Sequence, residues 1–297
     1  MGIVSPKCDF SFKQLMLNEK VRKYFLSDVL GIPVEQIRTV RLSNPFLWKR
    51  YLWQKQGILD VKVELNDNSR VNVELQIRMV ADWDRRSLFY LAKMYTEDLL
   101  IGERYHKLKK CICINILDFV INEKPEYHRV YRLRDEQGSD YSDLFEIHVI
   151  ELRKQLTGKE PVDDWIRLFN AETEAELDMI RTKNPGILEA IREVRIMSLR
   201  KDMRALYEAH MKEVRDRCAR EDYVRAEGKA EGKSEGKAEG KAEYVLQLLN
   251  TKGTVPPELE RIVCEQRNTD MLNRWHLLAA GAESIEEFVA EAGINLP

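Results

Sequence analysis

The chain has 297 residues, enough to bury a substantial core and more than one domain of ordinary size needs. Lys and Arg number 48 against 50 Asp and Glu, a net charge of −2, which excludes a uniformly basic coat and confines any nucleic-acid contact to a local groove. The five cysteines (Cys8, Cys111, Cys113, Cys218 and Cys264) form no C-x-x-C pair and are odd in number, so free thiols in a reducing cytoplasm are expected rather than a zinc site or a disulfide framework.

No basic segment followed by a long apolar run opens the chain, so no signal peptide is expected. Phe12, Leu15, Met16, Val21, Tyr24, Phe25 and Val29 recur at helical spacing and predict a helix over 9–30, ended by Gly31-Ile32-Pro33. Thr39 to Leu42 reads as a first strand.

Two segments of alternating pattern follow, Gly57 to Leu65 and Arg70 to Arg78, separated by the turn-forming Asn66-Asp67-Asn68-Ser69. Successive strand side chains point to opposite faces, so Leu59, Val61, Val63 and Leu65 share one face and Asp60, Lys62 and Glu64 the other. In the second segment Val71, Val73, Leu75 and Ile77 oppose Asn72, Glu74, Gln76 and Arg78. A two- or four-residue loop would put the two apolar rows on opposite sides of the sheet. Burying both rows together requires a three- or five-residue loop or a bulge, and Asp60 then lies across from Glu74 or Gln76. The same pattern also suits a hairpin whose polar face is simply solvated. Two carboxylates a strand apart, however, repel unless a cation lies between them, and hard oxygen donors of this kind suit Mg²⁺. A metal so held polarises a phosphodiester and acidifies bound water, which points to phosphodiester hydrolysis.

Asp82 to Leu100 reads as an amphipathic helix capped by Asp82, with Arg86 and Tyr90 four apart on one face and Arg85 beside them. These are candidate contacts to DNA phosphate, or else an arginine stacked on a tyrosine ring. Lys109 to Val120 reads as a central strand, its apolar run too short to cross a bilayer. Strands are expected over 127–133 and 144–152, with His128 and His148 as ordinary strand residues. Beyond Leu152 the pattern turns helical, over 165–169, 174–183 and 187 to about 222.

From Ala226 to Glu243 a tetrad repeats, with glycine at 228, 232, 236 and 240. Four interior glycines cost an isolated helix roughly 3–4 kcal/mol, and the period of four stacks Glu on Glu and Lys on Lys. The segment is therefore either a flexible linker or an oligomerisation helix whose stripes drift with a right-handed sense, a Glu stripe facing a Lys stripe of another chain. A small helical module from 244 to 297 completes the chain.

Several of these residues, in this order, resemble the PD-(D/E)XK nuclease superfamily, and within it the Rpn family of recombination-promoting nucleases and transposases. The matching pieces are Asp9-Phe10-Ser11-Phe12-Lys13, Ile58-Leu59-Asp60-Val61, Val73-Glu74-Leu75-Gln76, then Arg86 with Tyr90, and the late Glu-Gly-Lys repeat. The resemblance implies an α/β, restriction-endonuclease-like core with a mixed central sheet flanked by helices, over 1–155, followed by a helical extension over 156–225. It implies a Mg²⁺-dependent DNA endonuclease, recombination-promoting or transposase-like, with Asp60 and Glu74 as metal ligands. Asp9 is then either a further ligand or the N-cap of the first helix. Gln76 stands where the superfamily has its lysine; a neutral amide only orients water, and Lys62 is a candidate for the missing positive charge. The alternative is a catalytically degenerate DNA-binding or scaffold protein of the same fold. DNA is the expected partner, with no membrane.

Overall fold

The computed structural model describes residues 2–37, 41–42, 46–47, 57–58, 61–79, 82–97, 99 and 102–296. Leu59 and Asp60 lie outside the described residues. So do 38–40, which leaves the expected first strand represented by Arg41–Leu42 (β1). The other strands are Phe46–Leu47 (β2), Gly57–Ile58 (β3), Val61–Glu64 (β4), Arg70–Gln76 (β5), Cys111–Leu117 (β6), His128–Arg134 (β7) and Asp140–Glu151 (β8). The helices are Asp9–Leu17 (α1), Glu19–Leu30 (α2), Trp83–Thr96 (α3), Asp163–Asn170 (α4), Glu174–Met179 (α5), Pro185–Leu199 (α6), Lys201–Asn250 (α7), Pro257–Glu265 (α8), Thr269–Gly281 (α9) and Ile285–Ala292 (α10).

The main sheet runs β1-β4-β5-β6-β8-β7, with β5, β6 and β8 parallel and the outer pairings antiparallel. This is a mixed-sheet α/β fold of the restriction-endonuclease-like kind. The β4–β5 register pairs Val61 with Val73 and Glu64 with Arg70. Leu65 N donates to Ser69 O at 3.0 Å, so the loop is the three residues Asn66-Asp67-Asn68. Asn68 takes the left-handed conformation that closes such a loop (φ 62°). Both apolar rows therefore sink to one side, as core burial demands.

That side is covered by α1, α2, α4 and α6. Phe12, Phe25, Trp165 and Phe169 pack there, with Phe25 edge-on to Trp165 at 5.2 Å. Each such ring contributes on the order of 1.5–3 kcal/mol by leaving water. Residues 156–199, expected as an extension, thus supply much of the sheet's own core. The single helix expected over 9–30 is two, because Asn18 turns the chain and its side chain accepts from Lys20 N and Val21 N. The helix expected from 187 likewise breaks, at the extended Arg200.

At the hairpin the opposite face of the sheet is not solvated either. Helix α3 connects β5 to the parallel β6, and such a crossover lies on a sheet face. Leu91 and Met94 pack there on Cys111 and Cys113, and the polar row of the hairpin is closed over: Lys62, Asn72 and Glu74 are all buried.

Two compact units emerge, 1–211 and 212–297. The second has its own core, in which Val245 and Leu249 of α7 pack with Leu259, Val263, Leu272, Trp275 and Phe288. The tetrad repeat lies inside α7, a continuous helix of 50 residues, and is helical throughout; every residue from 219 to 237 is exposed.

Candidate functional site

Glu74 occupies the middle of β5, and its parity follows from Val73 and Val71, which face the main core. Pointing the other way, it meets α3. Asn115 stands beside it on β6, in register. Trp83, Arg86, Ser87 and Tyr90 of α3 recur at helical spacing and close over the two strands. Together with Gln76 these residues line a small, open pocket, with enclosed room for little more than one water molecule.

Glu74 is buried, 5 % exposed. Its Oε1 accepts from Asn72 Nδ2 at 3.1 Å, and Arg86 Nη2 lies 3.8 Å from Oε2. Arg86 also lies over the Tyr90 ring, 5.7 Å from its centroid, so the stacked arginine and the pocket cation are one and the same. Asn115 Nδ2 donates to Ser87 Oγ at 3.1 Å and to the His148 carbonyl at 3.5 Å, tying α3 to the sheet. The pocket's ligating groups are thus a carboxylate, amides and a hydroxyl, which are hard oxygen donors suited to Mg²⁺ rather than to soft or thiolate-loving metals. Among the described residues no three His, Cys, Asp or Glu side chains converge on a metal position. Asp60, the second carboxylate of the expected pair, is outside them.

The structure thus brings Glu74, Gln76, Arg86 and Tyr90 together. It places three other candidates elsewhere. Lys62 is buried on β4 in an ion pair with Glu97 and does not line the pocket. The Arg85 side chain is 80 % exposed, pairs with Asp82 Oδ1 at 3.3 Å and does not line the pocket. Asp9 is the first residue of α1, with Cys8 at the N-cap position, and pairs with Lys13 one turn on at 2.9 Å. Asp82 does stand at the N-cap of α3, but in the left-handed region (φ 60°) and with no capping hydrogen bond from its side chain.

Four residues of the site were not singled out from sequence: Trp83, Ser87, Asn72 and Asn115. The signal was present for the last, a lone amide inside an otherwise apolar central strand. Trp83 and Ser87 share the helical face of Arg86 and Tyr90, and Asn72 shares the parity of Glu74.

A second buried polar cluster lies at the β7–β8 edge. His128 Nε2 meets His148 Nδ1 at 2.9 Å, and His148 Nε2 meets Glu146 Oε1 at 2.7 Å. Lys110 Nζ (2.9 Å) and Arg132 Nε (3.2 Å) donate to Glu146 Oε2. The His148 hydrogen bond leads the effects that hold the Glu146 carboxyl well below its usual range, and burial followed by the adjacent His148 pushes His128 down to about 4. The two strand histidines are therefore a hydrogen-bonded pair, which their spacing of twenty residues did not reveal.

An α/β nuclease core with a carboxylate at the middle of its second hairpin strand, beneath a helix carrying arginine and tyrosine, defines the class. The chain belongs to the PD-(D/E)XK nuclease family transposases, whose family model matches residues 6–223. No curated protein and no solved structure matches it. Among the described residues no helix is long and apolar enough to cross a membrane.

Proposed function

We propose that this chain is a Mg²⁺-dependent endonuclease that hydrolyses DNA phosphodiesters, in a recombination-promoting or transposase-like role. The observation that carries the reading is the Glu74 carboxylate, buried in a polar pocket with Gln76 alongside and an arginine at its rim. Glu74 would hold the metal together with Asp60, which precedes Val61, the strand partner of Val73. The bound metal supplies Lewis acidity toward the phosphate and a more acidic water. Asn72, by donating to Oε1, fixes the carboxylate's rotamer and leaves Oε2 toward Arg86. Arg86 would take a phosphate oxygen, a contact its guanidinium makes well. Gln76 would orient the attacking water by hydrogen bonds, without the charge a lysine brings. Buried free thiols at Cys111 and Cys113 suit a reducing, cytoplasmic setting.

The test is nicking of supercoiled plasmid with Mg²⁺ by wild type, Asp60→Ala, Glu74→Ala and Gln76→Lys. Loss of cutting in both alanine variants is expected, and a rate increase in Gln76→Lys. Undiminished cutting by both alanine variants rejects the site; a wild type that binds DNA but never cuts it favours the degenerate scaffold.

The repeat helix supports self-association of the chain. At 100° per residue, each glycine of the tetrad has Glu on one flank and Lys on the other. Two such helices meeting along their glycine lines in parallel bring Glu against Lys on both edges, whereas antiparallel packing sets Glu on Glu and Lys on Lys. The right-handed drift of the stripes sets the sense of the crossing. Parallel pairing is the arrangement the charges favour.

A further inference from the structure

The pocket at Glu74 has more aromatic surface than phosphate binding requires. Trp83 forms one wall and Tyr90 another, with Arg86 between them on the same helical face. The Trp83 ring meets Phe119, just past the end of β6, edge-on at 6.4 Å. Close in sequence to Gln76 and Phe119, the loops that follow β5 and β6 leave large apolar side chains in water: Ile77, Met79 and Val120 are 41 %, 63 % and 46 % exposed. Exposed apolar side chains this near in sequence to the pocket's own residues suit a binding surface.

Phosphate alone does not account for it. A duplex presents phosphates and groove edges to a protein, and its base faces are hidden by stacking. An unpaired nucleotide presents a flat π-face next to its phosphate, and aromatic side chains beside a cationic backbone contact are how such strands are held.

We infer that an unpaired nucleobase stacks on the partly exposed Trp83 at the mouth of the Glu74 pocket, so that the preferred substrate is single-stranded or locally unpaired DNA rather than intact duplex. The inference rests on the nuclease reading above and names its substrate class. Arg86 then engages the phosphate of the nucleotide whose base lies on the indole. Perfect duplex must first expose a base, which costs a few kcal/mol and slows it relative to an open strand.

The experiment uses the full chain with three end-labelled oligonucleotides of one sequence: single strand, perfect duplex, and duplex with a central unpaired bubble. Cleavage is followed with Mg²⁺, and binding by fluorescence anisotropy in EDTA, for wild type, Trp83→Ala and Trp83→Phe. Single strand and bubble should be cut at least tenfold faster than duplex. Trp83→Ala should weaken single-strand binding by about 5- to 150-fold, the range for loss of one base–aromatic stack, and should erase the preference. Trp83→Phe, which keeps a ring, should retain most of both. Duplex cut as fast as single strand, or a folded Trp83→Ala protein with undiminished single-strand binding, overturns the inference while leaving the nuclease intact. If wild type cuts nothing, the anisotropy comparison still decides: loss of single-strand binding in Trp83→Ala upholds the stacking site and removes only the nuclease reading.

Discussion

Lys62 and Glu97 form an ion pair shut away from water, each side chain less than a tenth exposed. It joins strand β4 to the end of α3, and Arg70 adds to it: its Nη1 lies 3.8 Å from the same Glu97 oxygen and donates to Met94 O at 2.8 Å. The pair clamps the helix that roofs the Glu74 pocket onto the hairpin that forms its floor. We propose that a lysine in that position acts through architecture, not through DNA.

Lys62→Met should therefore destabilise the fold by about 2–3 kcal/mol, somewhat under the usual cost of orphaning a buried charge because Arg70 remains. Urea denaturation reads this directly. In the folded variant, the dependence of DNA binding on salt should not change, since no phosphate contact is lost. A variant as stable as wild type but with a shallower salt slope would return Lys62 to the DNA surface.

Acid should weaken the fold through the β7–β8 cluster. His128 titrates near 6.5 when unfolded but is held neutral to about pH 4 in the native protein, first by burial and then by His148. Between those values the unfolded chain binds more protons, so stability falls as pH drops from about 6.5 to 4, by up to about 3 kcal/mol. Glu146 adds to the loss below 4.5, because its folded value is depressed. The urea midpoint followed against pH should show this slope in wild type and a flatter one in His128→Phe. Parallel curves for the two proteins would show that His128 carries none of it.

Gly186 is required by packing. A Cβ there would lie 2.2 Å from Tyr24 Cβ and 2.8 Å from its Cγ, atoms too near the backbone of α2 to swing aside. Gly186→Ala should cost about 1–3 kcal/mol as α2 and α6 are forced apart. A midpoint unchanged in denaturant would mean the two helices slide freely, contrary to this contact.

The repeat glycines make the opposite prediction for a lone helix and for a paired one. Nothing within 4 Å would meet a Cβ at Gly228, Gly232, Gly236 or Gly240. Replacing all four by alanine should stabilise a solitary helix by about 3–4 kcal/mol. If helices pair along the glycine line, the same change should instead weaken association, because the added methyls hold the two backbones apart. Sedimentation of the full chain across a concentration series distinguishes them. A monomer at every concentration, in both proteins, would dispose of the pairing.

Local pattern was enough for the strands, because period-two alternation in β4, β5 and β8 is a property of neighbouring residues. It was enough also for the face that Glu74 and Gln76 share, since burying Val61, Val63, Val71 and Val73 together leaves one parity available. Helix breaks at Asn18 and Arg200 were less legible, as the apolar spacing continues across both and only the side-chain cap and the extended backbone mark the first and second respectively.

By itself the sequence determined which residues alternate, and therefore that Glu74 and Gln76 must leave the core on the same side. Only the tertiary structure decided what waits there. Helix α3 folds over that polar row, burying Lys62 against Glu97 and bringing Trp83, Arg86 and Tyr90 over Glu74. The reason is physical: strand parity is set by residues two apart. The partner of a buried charge is set by which helix crosses the sheet above it, and in this chain Glu97 lies thirty-five positions from Lys62.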